Sequence, residues 1–326
     1  MDTQMENTKM KKKILIFGAT GYVGRYMVQV SVSMGHQTYA YTRPINLAAV
    51  TNQLKLKTIQ DFKAMGVTIV EGELDDHVKL VGILQQVDIV ISTLPVPQYL
   101  DQLKIISAIK EANIERFLPS EFGCEADRSK ALPPFQAIIE NKKTIRRATE
   151  AAGIPYTYVS ANVLAGYFIH YILFPDQICN HQVTIYGSGQ KKVVWNYEED
   201  VAAYTIRAAM DSRTLNKTII CRPLRNIASQ LDFVSSWEEK TGLTLNRIHM
   251  LEDDLINLTQ RLPLKESIPM AILHYIFIKE DETSITLKED DLEASALYSD
   301  YQYTSVNDLI DSNLINFKNI KLSTFI

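Results

Sequence analysis

An α/β fold built on a doubly wound parallel sheet, with a smaller α/β domain interleaved into it, follows from three features of this 326-residue sequence. Short apolar runs alternate with amphipathic stretches through the first half. Glycines at Gly18, Gly21 and Gly24 stand where the first run meets the first amphipathic stretch. Gly35, Gly66 and Gly153 punctuate the ends of helical patterns, where a left-handed residue closes a helix. Strands separated by helices call for parallel βαβ units, because a parallel partner is reached only through a crossover.

Taken in order, ILIF (14–17) reads as a buried strand and residues 22–34 as the helix after the glycines. TYAYT (38–42), VTIV (67–70), VDIVIST (87–93), RFLPS (116–120) and YTYVS (156–160) continue the strand series, rich in β-branched and aromatic residues. Helical patterns near 54–65, 76–86, 98–112 and 137–152 lie between them. In the second half, VTIYGSGQKKVVWN (183–196) reads as two strands around a Gly-Ser-Gly turn. A helix near 198–210 and a strand at 218–221 return toward the first sheet, and 229–278 reads as helices with one strand near 245–249. The expected organisation is a disordered leader over 1–12, a nucleotide-binding sheet domain over 13–165 with a return near 198–221, and a mainly substrate-binding remainder over 166–326, interleaved with it.

Composition is that of an ordinary globular chain, 46% hydrophobic and 22% charged, and a net charge of −4 gives no basic field for nucleic acid. The cysteines, Cys124, Cys179 and Cys221, are odd in number and widely spaced, which speaks against a disulfide framework and for a reducing compartment. No CxxC, HxxxH or HExxH spacing supports a metal site. The first ten residues carry acids and no apolar run, and no run is long enough to span a bilayer. The expectation is a cytoplasmic protein with neither a nucleic-acid nor a membrane partner.

A strand ending at Gly18 and a helix opening past Gly21 and Gly24 match a Rossmann-type dinucleotide turn. Glycine permits positive φ there and lets a pyrophosphate approach the backbone and the helix N-terminus. Gly18, Thr20, Gly21, Tyr22, Val23 and Gly24 are the candidate cofactor residues in this turn. The alternative is the same turn without a ligand. The second strand ends in YTRP, with Arg43 where an acid would hold the ribose hydroxyls of NAD. A guanidinium suits a phosphate, so the cofactor indicated is NADPH. Lys55 adds a second charge or is a solvated helix-start lysine.

The only YxxxK spacing, Tyr275 to Lys279, lies in an apolar segment far from the glycine turn and reads as coincidence. On the helix at 137–152, Ile138, Ile145, Ala148 and Ala152 form an apolar stripe, and Lys142 and Arg146 share a face. A partly desolvated lysine beside an arginine can lose its proton near neutrality and act as a general base. Spacing alone favours the plainer alternative, a solvated basic face.

The stretches GATGYVG, TRP, ERFLPSEFG, NKKTIRRATEAAGIPYTYVSAN and AGYF together resemble the plant aromatic-alcohol reductases. These comprise the isoflavone, pinoresinol–lariciresinol and phenylcoumaran benzylic ether reductases and the eugenol and isoeugenol synthases. The resemblance runs to about Ile310, and ALPPFQAIIENKKTIRRATEAAGIPYTYVSAN and IPMAILHYIFIK resemble the eugenol/isoeugenol branch. It implies an atypical short-chain dehydrogenase fold using NADPH without a tyrosine–lysine pair. Lys142 matches the family's catalytic lysine, and Arg146 an arginine that helps hold the cofactor. Arg43 and Lys55 match positions contacting the 2′-phosphate. Phe122 falls near the nicotinamide, and Tyr167 matches a tyrosine lining the substrate pocket.

The chemistry implied is reductive displacement of an allylic ester such as coniferyl acetate. Lys142 takes the para-phenol proton, the carboxylate leaves, and hydride meets the resulting quinone methide. Isoeugenol or eugenol results according to which carbon is reduced. Val96 and Tyr99 resemble the isoeugenol-forming pair, where Phe and Ile mark the eugenol-forming type; the alternative is that both merely pack a helix start. Pro95 departs from the commoner alanine just before them. The expected partner is therefore a small phenylpropanoid ester, with the oligomeric state left open. Two other readings are a lignan, isoflavone or phenylcoumaran-type reductase with a wider pocket, and a non-catalytic NADP(H)-sensing regulator. Lys142 argues against the sensor.

Overall fold

A computed structural model of the chain describes residues 11–44, 53–173, 180–279 and 287–311. Five strands, β1 (Lys13–Phe17), β2 (Gln37–Thr42), β3 (Thr68–Glu71), β4 (Ile89–Ser92) and β5 (Arg116–Leu118), form a parallel sheet in the order β3-β2-β1-β4-β5. β6 (Thr157–Ser160) meets β5 through a parallel bridge between Phe117 and Tyr156. β10 (Lys217–Ile220) pairs with β6, and β13 (Leu292–Glu293) pairs with β10. One twisted array results, with the chain returning at 217–220 after a long excursion.

The crossovers are α1 (Tyr22–Ser33), α2 (Gln53–Ala64), α3 (His77–Leu84), α4 (Gln102–Ala112) and α5 (Phe135–Ala151). Strand side chains alternate between faces. Ile14 and Ile16 of β1 therefore pack with Met27 and Val28 of α1, whereas Leu15 and Phe17 pack with Leu80, Ile105 and Ile109 on the other side. Covering both faces is what makes these strands near-continuous apolar runs.

The second half differs from expectation in its pairing. The strands flanking Gly187-Ser188-Gly189 exist, as β8 (Gln182–Tyr186) and β9 (Lys192–Asn196), but they join different sheets. β9 lies between β7 (Val163–Leu164) and β11 (Ile227–Ser229), and β8 pairs with β12 (Asn246–Met250). Around them pack α6 (Ala165–Ile172), α7 (Glu198–Met210), α8 (Gln230–Thr241), α9 (Glu252–Arg261) and α10 (Leu264–Phe277), over a core containing Trp195, Phe233 and Phe277. The two- and three-residue strands carry no readable periodicity, which is why sequence patterning passes over them.

The leader was expected to run to residue 12. Residues 1–10 lie outside the described residues, whereas Lys12 is tied to the start of the central strand: its carbonyl accepts from the Gln37 N–H and its ammonium pairs with Glu115 at 2.6 Å. Among the described residues no helix is long and apolar enough to cross a membrane.

Candidate active site

Strand order reverses between β1 and β4, so a crevice opens beyond their carboxyl ends. Gly18 leaves β1 with φ +72°, and the Gly21 N–H donates to its carbonyl at 2.8 Å. A side chain at Gly18 would meet the Thr93 carbonyl oxygen at 2.6 Å, and one at Gly24 would meet the Gly18 carbonyl oxygen at 2.2 Å. Packing of α1 against β1 and β4 therefore demands both glycines. The ligand-facing feature is what that packing exposes. α1 begins at Tyr22 with no side-chain cap and no acid in its first turn. Its first N–H groups and the positive end of its dipole suit a phosphate oxygen, so the turn fits a dinucleotide pyrophosphate. In this turn Gly21 is exposed and Thr20 half-buried, and Gly21, Tyr22 and Val23 line the adjoining cavity.

Arg43 is exposed just beyond β2, and the Lys55 ammonium donates to its backbone carbonyl at 3.2 Å. Burial, and then the Arg43 charge, pull the Lys55 ammonium below its ordinary value. Two adjacent cations that disfavour each other suit an anion between them.

The cavity beside the glycine turn measures about 340 Å³ and is walled mainly by apolar and aromatic side chains. Lys142 enters it from α5. It lies on the buried face of that helix with Ile138, Ile145 and Arg146, and only 6% of it is exposed, so the solvated-face alternative does not hold. Its ammonium donates to the Glu121 carbonyl and lies 5.8 Å from the centroid of the Tyr99 ring. Burial is the largest influence on the Lys142 ammonium and pulls it down, with Arg146 acting the same way; Tyr99, Cys124 and Glu121 act against them, and the net direction is upward from the ordinary lysine value. The expected near-neutral lysine is therefore not what the resting site contains. Burial pushes the Tyr99 phenol up to about 12, so beside Lys142 it is a neutral hydroxyl.

Arg146 lies deeper still. It is 1% exposed and is not among the residues lining the cavity. Its guanidinium donates to Glu121 at 2.7 Å, to Glu125 and to Asp127 at 3.0 Å, and stacks 4.6 Å from the Tyr158 ring centroid. Its charge still pulls the Lys142 ammonium down, but more weakly than the groups that raise it. What Arg146 grips is the turn carrying Glu121 and Phe122. Phe122 has φ +23°, a strained region costing about 1–3 kcal/mol. Around it, Glu121 is held by Arg146, and the Gly123 carbonyl accepts from the Asn162 N–H at 2.9 Å. Phe122, Val96, Tyr99 and Tyr167 all line the cavity, Val96 and Tyr99 from a 3₁₀ turn at Val96–Asp101.

Over residues 10–310 the sequence matches the NmrA-like family. The chain belongs to that family. This NmrA-like chain is 56% identical over 320 residues to isoeugenol synthase 1 of Petunia hybrida, covering 98% of each chain. It is 50% identical to isoeugenol synthase 1 of Clarkia breweri, covering 92% of this chain and 95% of that one. Among solved structures, the binary complex of leucoanthocyanidin reductase with NADPH from Vitis vinifera aligns with a TM-score of 0.86 at 30% identity, covering 93% of this chain and 100% of the other. The resemblance read from the motifs thus extends along nearly the whole chain.

Other cavity residues of this NmrA-like protein escape sequence reading. Tyr275 does line the cavity, with its hydroxyl 2.6 Å from that of Ser129, while Lys279 donates to the Lys130 carbonyl. The YxxxK spacing is a coincidence as a pair, yet its tyrosine is part of the wall. Cys124 and Asn162 also contribute, and nothing in their neighbours signals it. Glu198 is 1% exposed and accepts from Tyr22, although an acidic run at a helix start ordinarily reads as a solvated complement to the dipole.

Proposed function

We propose that this protein is an NADPH-dependent reductase that displaces the ester group of coniferyl acetate to give a phenylpropene, isoeugenol in preference to eugenol. The observation that carries this reading is a compact, largely apolar cavity at the dinucleotide crevice in which, among the described residues, Lys142 is the one cationic lining side chain. The identity of 50–56% with two isoeugenol synthases supports it. A volume of about 340 Å³ suits a one-ring ester better than the two-ring lignans and isoflavones of the competing reading. The odd, widely spaced cysteines support a cytoplasmic setting.

When bound, NADPH supplies the hydride. The chain's own part is to bind, orient and polarise the ester. Lys142 works at the para-oxygen. The phenol proton passes to Lys142 in its neutral form, the ammonium so formed stabilises the phenolate, and electron density from that oxygen expels the carboxylate to leave a quinone methide in the aromatic walls. Those walls exclude water, which would otherwise add to the quinone methide. Val96 and Tyr99 set the lateral position of the ring, with Tyr99 next to Lys142 at the phenol end.

The deciding experiment is chromatography of products from purified protein, coniferyl acetate and NADPH. Isoeugenol in excess is expected; reduction of a lignan with no phenylpropene would transfer the assignment to the competing reading. In the double variant Val96→Phe, Tyr99→Ile the eugenol fraction rises while total turnover falls only modestly. A displacement of about 1 Å changes hydride-transfer rates roughly a hundredfold, so repacking alone can redirect the product. An unchanged ratio would remove both residues from ring positioning.

Arg43 and Lys55 are assigned to the 2′-phosphate. Arg43→Ala weakens NADPH binding by about 10- to 100-fold, as expected for a charged hydrogen bond worth about 1.5–3 kcal/mol, and leaves NADH binding nearly unchanged. Fluorescence titration with the two cofactors measures this, and equal losses would refute the phosphate assignment.

A further inference from the structure

Glu198 is a buried carboxylate that forms no ion pair among the described residues. Such a charge costs several kcal/mol unless other dipoles replace its water. Two helices do so here. Glu198 is the first residue of α7, and it also caps α6, which has no side-chain cap from its own N-cap residue. It accepts from the Gly166 N–H at 3.1 Å and the Tyr167 N–H at 2.9 Å, so the positive ends of two helices converge on it.

A third helix is tied in through a side chain. The Tyr22 hydroxyl donates to Glu198 Oε1 at 2.9 Å, the oxygen that also receives the Tyr167 N–H. Burial, and then the Glu198 charge, push the Tyr22 phenol far up, so it remains a donor at any working pH. The contact is close. A Cβ at Gly166 would lie 2.8 Å from Glu198 Oε2 and 3.0 Å from the Tyr22 hydroxyl. The Tyr22 and Tyr167 rings meet edge to face at 5.6 Å, and both line the cavity. Tyr22 opens the helix of the glycine turn, whereas Tyr167 belongs to α6.

We propose that Glu198 is a positioning residue that locks the substrate wall at Tyr167 to the nucleotide turn at Tyr22, and so sets where the substrate ring lies relative to the cofactor. The product-ratio consequence rests on the phenylpropene-forming reading above; the coupling itself does not. A glutamine at 198 can keep the oxygen shared by Tyr22 and Tyr167, losing only the acceptor for Gly166. Alanine loses all three contacts. Tyr22→Phe removes one hydroxyl and leaves the capping of α6 by Glu198 in place.

The test compares Glu198→Gln, Glu198→Ala and Tyr22→Phe with the wild type in two measurements. The first is the isoeugenol-to-eugenol ratio from coniferyl acetate and NADPH. The expected result is a shift of about fivefold or more in Tyr22→Phe and in Glu198→Ala, with Glu198→Gln staying within about twofold of wild type. The second is amide hydrogen exchange over residues 165–173 with and without NADPH, which needs no ester. NADPH slows exchange there in the wild type and in Glu198→Gln, but not in Tyr22→Phe. Should Glu198→Ala fail to fold, Tyr22→Phe carries the test. A wild-type product ratio in folded Tyr22→Phe, or the same NADPH-induced protection as wild type, would overturn the proposal. A wild type that forms no phenylpropene refutes the functional reading alone, and the exchange measurement still decides the coupling.

Discussion

Replacing Lys142 with alanine lowers ester turnover by about 10³-fold or more while NADPH binds with near wild-type affinity. Among the described residues walling the cavity Lys142 is the one cationic side chain, and Arg43 is not among them. Because Tyr99, Cys124 and Glu121 hold its ammonium above the ordinary lysine value despite burial, the resting group is a charge and not a ready base. Lys142→Arg separates the two roles. Arginine keeps the charge and cannot give up its proton, so it retains a measurable part of the activity if Lys142 acts by stabilising the phenolate. If it is as inactive as alanine while still binding substrate, it is proton removal by the neutral lysine that carries the rate. Near-normal turnover by the alanine variant would show that the phenol is activated elsewhere.

Arg146→Met produces the largest loss of stability expected of any substitution near the site, about 3–5 kcal/mol, measured as a drop in the urea midpoint. Glu121 and Glu125 are almost fully buried and depend on this guanidinium, and methionine leaves two carboxylates uncompensated. The same change frees the Glu121–Phe122 turn, whose strained backbone needs several simultaneous contacts to persist. Activity of the folded fraction therefore falls as well, since the Glu121 carbonyl that receives the Lys142 ammonium is no longer held. A midpoint within experimental error of wild type would mean that the cluster is not a working ion network.

Residue chemistry alone made much of this protein legible. The alternation of strands and helices, the glycine turn and the basic residue ending β2 are written in local patterns of period 2 or 3.6 and in single special residues. Each sheet strand expected up to residue 160 is found within a residue or two of its place, because the buried strands are dominated by apolar, β-branched and aromatic residues. Where the expectation failed, the information was not local. β8 and β9 are two good strands with a good turn between them, and nothing in those residues states that they pair with β12 and with β7 and β11 instead.

The clearest division lies on α5. By itself the sequence determined that Lys142 and Arg146 share one face of an amphipathic helix, because four residues make roughly one turn. It could not distinguish them, since both are long cations one turn apart. Tertiary structure decided that one faces a cavity and the other is enclosed by Glu121, Glu125 and Asp127, residues 19 to 25 positions away. The same holds for Glu198, whose neighbours in sequence are acids but whose partners lie 31, 32 and 176 residues away. A buried charge is defined by what replaces its water, and those groups arrive from elsewhere in the chain.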